Sequence, residues 1–151
     1  LITGANRGIG LGLAEGFLKA GATVTIVALE KDVTEVAAQL SATYDRQVRG
    51  ITCDIADLAQ VDRMQAQVQH VDVLINNAGF EYIPPITAPS ARSEEVFRRI
   101  IERNVRGTFS ITRRLLDKIP AGTHFLLFET TLQDGGTSAA HGMRRGPPPA
   151  W

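Results

Sequence analysis

The chain has 151 residues, enough for one domain with its own core, and its hydrophobic fraction of 44% and charged fraction of 21% are those of an ordinary globular protein. Sixteen basic and sixteen acidic residues cancel, which argues against nucleic acid or an anionic membrane as a partner. No apolar run is long enough for a bilayer, and the single cysteine, Cys53, excludes an intrachain disulfide and favours a reducing, cytoplasmic setting. The abrupt start at Leu1, without Met or a signal-type leader, leads to the expectation that upstream residues are missing.

Leu1-Ile2 read as the end of a strand running into the glycine-rich Thr3–Gly10. Ile9, Leu13, Ala14, Phe17 and Leu18 recur at helical spacing, which predicts a helix to Ala20 with Gly21 as its stop. Thr23–Leu29, "TVTIVAL", is β-branched and apolar on both pleat faces, as a strand buried on both sides must be. A helix follows over Val33–Tyr44, a third strand over Val48–Cys53, and a helix capped by Asp57 running to about Gln69. Val71–Ile75 is a fourth strand ending at Asn76-Asn77-Ala78-Gly79, and the proline-rich Phe80–Ser90 is a loop. Ser93 is the expected N-cap of a long helix to Ile119, stopped by Pro120, before a fifth strand at His124–Phe128.

This β-α alternation calls for an α/β fold, a doubly wound parallel sheet with helices on both faces. After Asp134 the periodicity stops and Gly, Pro, Ala and Arg dominate, so a domain over 1–131 and a disordered tail over 132–151 are expected.

The chemistry-bearing residues cluster at strand ends. Thr3-Gly4-Ala5-Asn6-Arg7-Gly8-Ile9-Gly10 lies between a strand and a helix, where a dinucleotide pyrophosphate rests on free backbone N–H groups; the competing reading is a ligand-free connector. In the binding reading Gly4 makes the tight turn, Gly8 admits the phosphates and Gly10 lets the helix approach the sheet. Cys53, His70, His124 and His141 have no metal-ligand spacing, so no metal is expected. Arg144-Arg145 before three prolines has the composition of a polyproline-type ligand, which also arises by chance in unstructured tails.

The spacing Gly4-x-x-x-Gly8-x-Gly10, followed by Asn76-Asn77-Ala78-Gly79, resembles the short-chain dehydrogenase/reductase family. Asp54 at the end of the third strand, Asp57 after it, and Asn104 in "NVRGTF" extend the resemblance over about Leu1–Thr131. It implies a Rossmann-like sheet, incomplete at five strands in the order 3-2-1-4-5, and an NAD or NADP cofactor. The implied cofactor-binding residues are Gly4, Asn6, Arg7, Gly8, Ile9, Gly10, Glu30, Asp54, Ile55, Asn77, Ala78 and Gly79. Asp54 would accept from the adenine amino group, or else only cap its own turn. Asn76–Gly79 would line the cofactor or serve only as a turn. Asn104 sits on the helix face of Phe97, Ile101 and Thr108; the resemblance implies that it bends the helix and holds a proton-relay water, and the alternative is a core amide satisfied by backbone. Ala28 occupies the position of the acid that meets the ribose of NAD; Glu30 lies two residues on, and Arg7 and Lys31 would suit a 2′-phosphate, a lean toward NADP.

The resemblance also implies a hydride transfer between nicotinamide and a carbonyl or alcohol carbon of a small substrate. It is served in the family by a tyrosine, a lysine four residues later and a serine. An unperturbed phenol titrates at about 10, so a nearby cation is needed to favour its anion. The chain has two tyrosines, Tyr44 and Tyr82, neither with a lysine at the fourth position after it, and Thr131 stands at the serine position. Three accounts follow: an oxidoreductase truncated or frameshifted after about Phe128; a non-catalytic dinucleotide-binding or dimer-forming module; and a reductase using unrelated residues. Self-association is expected through helix 93–119 or through a fifth strand left as an apolar edge.

Overall fold

The computed structural model describes residues 1–80 and 89–120, and the backbone of 124–127. The elements are β1 (Ile2–Thr3), α1 (Gly8–Lys19), β2 (Val24–Ala28), α2 (Val33–Tyr44), β3 (Val48–Thr52), α3 (Leu58–Gln67) and β4 (Val73–Asn76). After them come α4 (Ser90–Ile100), a π-helical turn (Ile101–Gly107), α5 (Thr108–Leu115), a 3-10 turn (Leu116–Lys118) and β5 (His124–Leu127). All five strands are parallel, in the order β3-β2-β1-β4-β5. This is the expected Rossmann-like sheet. Residues 81–88 of the expected loop, the Phe128 end of the fifth strand, Thr131 and the 132–151 tail lie outside the described residues.

Strand alternation divides the core between the two faces of the sheet. Ile2, Val24, Ile26, Ala28 and Ile75 point to one face, where Ala14 and Leu18 of α1 and Val33, Ala37 and Leu40 of α2 cover them. Val27, Ile51 and Leu74 point to the other, under Val61 and Met64 of α3 and Ile111 and Leu115 of α5. "TVTIVAL" is apolar on both pleat faces because β2 is sandwiched between helices. β3 is an edge of the sheet, and its Arg49 and Thr52 are exposed.

Local chemistry sets the element ends. Asp57 caps α3, its Oδ1 accepting from Ala59 N at 2.9 Å and Gln60 N at 3.3 Å. The helix stops at Gln67, short of Gln69, because Val68 turns extended at φ −97 and ψ 125. Ser93 is not the cap of the long helix. That helix begins at Ser90, and the Pro89 carbonyl accepts from Arg92 N and Ser93 N instead. A proline lacks the N–H that a helix start cannot satisfy, so it suits this position.

The long helix is also not uniform. It widens into the π turn where Gly107 meets β3's exit: a Cβ there would lie 2.8 Å from Ile55 Cγ1. Its apolar residues fall on two faces. Val96, Ile111 and Leu115 are buried, whereas Phe97, Ile101, Val105 and Phe109 form a stripe at i, i+4 spacing that is 41% to 66% exposed.

Candidate functional site

The strand order reverses between β1 and β4, and in open α/β sheets the crevice beyond the strand ends at such a point is where ligands bind. Two backbone segments meet there. Gly4 has φ +65, and a Cβ on it would lie 2.8 Å from Ala78 Cα. A Cβ on Gly10 would lie 2.3 Å from Gly4 O. Both glycines are therefore required by close backbone approach. Gly8 differs: its φ is +57, and a Cβ would meet nothing within 4 Å. It faces open space at the start of α1.

That helix start carries no side-chain cap, since its N-cap residue is the extended Arg7. The first N–H groups of α1 thus point at the crevice without a protein carboxylate or hydroxyl to satisfy them, unlike those of α3. With the positive end of the helix dipole, this is a seat for an anion. A dinucleotide pyrophosphate fits it on donor chemistry and on the space over Gly8.

Asn77 and Thr3 stitch the crevice floor. Asn77 Nδ2 donates to Thr3 O at 3.0 Å and Gly4 O at 3.1 Å, while Thr3 Oγ1 accepts from Asn77 N and Ala78 N. Asn76 is buried and donates to Thr112 Oγ1, tying β4 to α5. Gly79 is exposed at the rim.

On the β2 side, Arg7 Nη2 donates to Glu30 Oε1 at 2.7 Å, and Asn6 Nδ2 donates to Asp32 Oδ1 at 3.0 Å and Glu30 Oε2 at 3.5 Å. Burial alone would raise the Glu30 carboxyl, but the bonds from Arg7 and Asn6 prevail and hold it below the ordinary carboxylate range. Arg7 and Glu30, weighed in the sequence as alternative ribose contacts, are one ion pair. On the β3 side, Asp54 Oδ1 accepts from Ala56 N, and Asp54 Oδ2 accepts from Arg103 at 3.2 Å. Ile55 is buried beneath Gly107, and Ile9 is half exposed on α1.

Asn104 is not a core amide. It is exposed, and Phe97 and Ile101, its expected face-mates, are exposed as well. Its amide instead clamps the chain after β4: Oδ1 accepts from Phe80 N at 2.8 Å and Nδ2 donates to Phe80 O at 3.0 Å. Thr131 lies outside the described residues. Sequence reasoning missed Thr3, Asp32, Phe80 and Arg103. Thr3 had a signal, a hydroxyl at the end of a buried strand, which needs a local partner. Arg103 had none, because a helical arginine reads as solvated surface.

Among the described residues no group of three His, Cys, Asp or Glu is placed to hold a metal ion. Cys53 is buried, and burial first, then the Asp54 and Asp57 carboxylates, push its thiol up to about 11 against the opposing effect of Arg63. The thiolate is the reactive form, so the folded chain is expected to resist iodoacetamide at pH 8 and to react promptly in urea. Its folded value lies above the ordinary 9.0, so the fold keeps the proton longer than the unfolded chain. Stability is therefore expected to fall between pH 9 and 11, and Cys53→Ala should flatten that part of the urea-denaturation profile. A separate hollow of about 360 Å³, lined by residues including Leu1, Thr23, Arg49 and His70, lies at the opposite end of the sheet from these groups.

A family model for short chain dehydrogenases matches residues 1–124. The chain belongs to the short-chain dehydrogenase family. It is 35% identical to galactitol 2-dehydrogenase of Agrobacterium fabrum over 71% of its own length and 41% of that protein. Among solved structures it resembles L-sorbose reductase of Gluconobacter frateurii complexed with NADPH and L-sorbose (TM-score 0.67, 30% identity, 78% of this chain and 45% of that one). It likewise resembles an alcohol dehydrogenase of Thermococcus sibiricus complexed with 5-hydroxy-NADP (TM-score 0.70, 29% identity, 78% of this chain and 51% of that one). The chain thus spans about half the length of these relatives. No helix among the described residues is long and apolar enough to cross a membrane.

Proposed function

We propose that this chain is the dinucleotide-binding part of an NAD(P)-dependent short-chain oxidoreductase acting on a small carbonyl or alcohol substrate. The observation that carries the reading is the uncapped start of α1 beneath the open space over Gly8, at the point where the strand order reverses. Gly8, Ile9 and Gly10 would offer N–H groups to the pyrophosphate, Asp54 and Ile55 would flank the adenine, and Asn77, Ala78 and Gly79 would line the far half. A nicotinamide held there supplies hydride chemistry. Asn104 would position the Phe80 segment beside it, and Thr131 would orient the substrate. With no tyrosine followed at the fourth position by lysine, the 151-residue chain binds cofactor without turning substrate over by itself. Its single cysteine supports a reducing, cytoplasmic setting.

Calorimetry tests this directly. NAD and NADP are both expected to bind, NADP more tightly, through Arg7. Arg7→Ala should abolish the preference, and Glu30→Gln, which frees Arg7 from its carboxylate, should enlarge it by about tenfold. NADPH oxidation with a panel of aldehydes and ketones should stay at background. No binding of either cofactor at millimolar concentration would end the reading. A second reading, a dimer-forming module, is favoured by the exposed stripe Phe97, Ile101, Val105 and Phe109. Among the described residues β5 is the outermost strand on its side of the sheet, which supports association by another route.

A further inference from the structure

The π turn Ile101–Gly107 brings two neighbouring residues to two different loops. Asn104 clamps the backbone of Phe80 after β4, while Arg103 reaches the exit of β3 and donates to Asp54 Oδ2 at 3.2 Å. Both members of that ion pair are only 22% exposed in their side chains. The Arg103 guanidinium also lies 5.5 Å from the centre of the Phe80 ring, which Arg99 approaches at 5.1 Å. One widened turn therefore ties the β3 rim of the crevice to the β4 rim. Widened turns of this kind recur at functional sites.

The pinning of Asp54 is specific. Oδ1 is held by Ala56 N and Oδ2 by Arg103, one bond each. A carboxylate has about four acceptor positions, so acceptor capacity remains on a group that can no longer rotate. Arg103 also balances the Asp54 charge, which would otherwise repel a polyanionic ligand entering the crevice. The resemblance already implies that Asp54 accepts from the adenine amino group, and a fixed, charge-balanced carboxylate suits such an uncharged N–H donor.

The geometry points to Arg103 as a positioning residue for the base of the bound nucleotide: it orients and neutralises Asp54 so that the crevice selects a 6-aminopurine. This rests on the dinucleotide-binding reading and deepens it. The residue acts through Asp54 and through the Phe80 ring.

The test compares NAD with nicotinamide hypoxanthine dinucleotide, which carries an oxygen in place of the amino group, by calorimetry on the full chain. The unmodified protein is expected to favour the adenine form by about tenfold, the worth of one charge-assisted hydrogen bond. Arg103→Ala should reduce that ratio to about two or less. Arg103→Lys should restore part of it, since it returns the charge without the planar fork. Arg103→Gln gives the same readout should the alanine variant fail to fold, and thermal midpoints identify which variants are folded. A folded Arg103 variant that keeps the parental ratio overturns the proposal while leaving cofactor binding intact. Equal affinity of the unmodified chain for the two bases overturns it in the same way. Failure of the unmodified chain to bind either dinucleotide overturns the dinucleotide reading and this inference together.

Discussion

Replacing Gly10 with alanine is expected to lower the unfolding free energy by about 2 kcal/mol, measured by urea denaturation. The added methyl would lie 2.3 Å from Gly4 O, 2.6 Å from Asn77 Nδ2 and 2.9 Å from Ala5 Cα. Two of those three atoms are backbone, so moving the Asn77 side chain alone cannot relieve the clash, and overpacking of this kind costs about 3 kcal/mol. Alanine's better helix propensity offsets about 1 kcal/mol of it. Gly12 is the internal control. It sits in the same helix with nothing within 4 Å of a Cβ, so Gly12→Ala should stabilise by about 1 kcal/mol. Gly8→Ala separates fold from function: its φ of +57 costs about 1–2 kcal/mol of strain, but the methyl enters the open space proposed for the phosphates. Its main effect is expected on cofactor affinity, as a loss of tenfold or more. Equal stability changes at Gly10 and Gly12 would contradict the packing described for the crevice.

The sheet was legible because period-2 and period-3.6 patterns depend on which faces are buried, and here both faces of the central strands are. "TVTIVAL" could not be a surface strand, and its neighbours follow from parallel crossover rules. The Asp57 cap was legible for the same local reason: a carboxylate before a periodic run has N–H groups to satisfy. The long helix was only half legible. Its extent followed from periodicity, which counts apolar positions without knowing what covers them. Ile111 and Leu115 join the core on the second face of the sheet, whereas Phe97 and Phe109 are 64% and 66% exposed. A bend at Asn104 was implied by the resemblance alone; nothing in the periodicity marks the π turn, where Gly107 lies against Ile55 and Asn104 against Phe80. The face that Asn104 shares with Phe97 and Ile101 is exposed, which periodicity alone does not tell. Ser93 lost the cap to Pro89 because a capping residue is recognised by type, while the helix start is decided by which carbonyl is free. In the site, the glycines could be read from spacing alone, but the pairing of Arg7 with Glu30 and of Asp54 with Arg103 could not.

The double substitution Phe97→Glu and Phe109→Glu is expected to convert the proposed dimer to a monomer, read by size-exclusion with light scattering at tens of micromolar chain. The stripe Phe97, Ile101, Val105, Phe109 presents large apolar groups every four residues on a helix whose opposite face is already committed to the core. Against a second copy in antiparallel alignment centred on residue 103, Phe97 would face Phe109 and Ile101 would face Val105. Exposed Glu94 would come to the turn that carries exposed Arg113, so charge supports the antiparallel arrangement and opposes the parallel one. Each large apolar side chain so covered contributes about 1.5–3 kcal/mol. By two-fold symmetry each substitution acts twice, so the pair removes four aromatic side chains and places four carboxylates in an apolar seam. A rise of at least about a thousandfold in the dissociation constant follows. Thermal stability of the monomer should change little, because neither phenylalanine reaches the core. If association persists unchanged in the double variant, it runs through the β5 edge, and the stripe is not the interface.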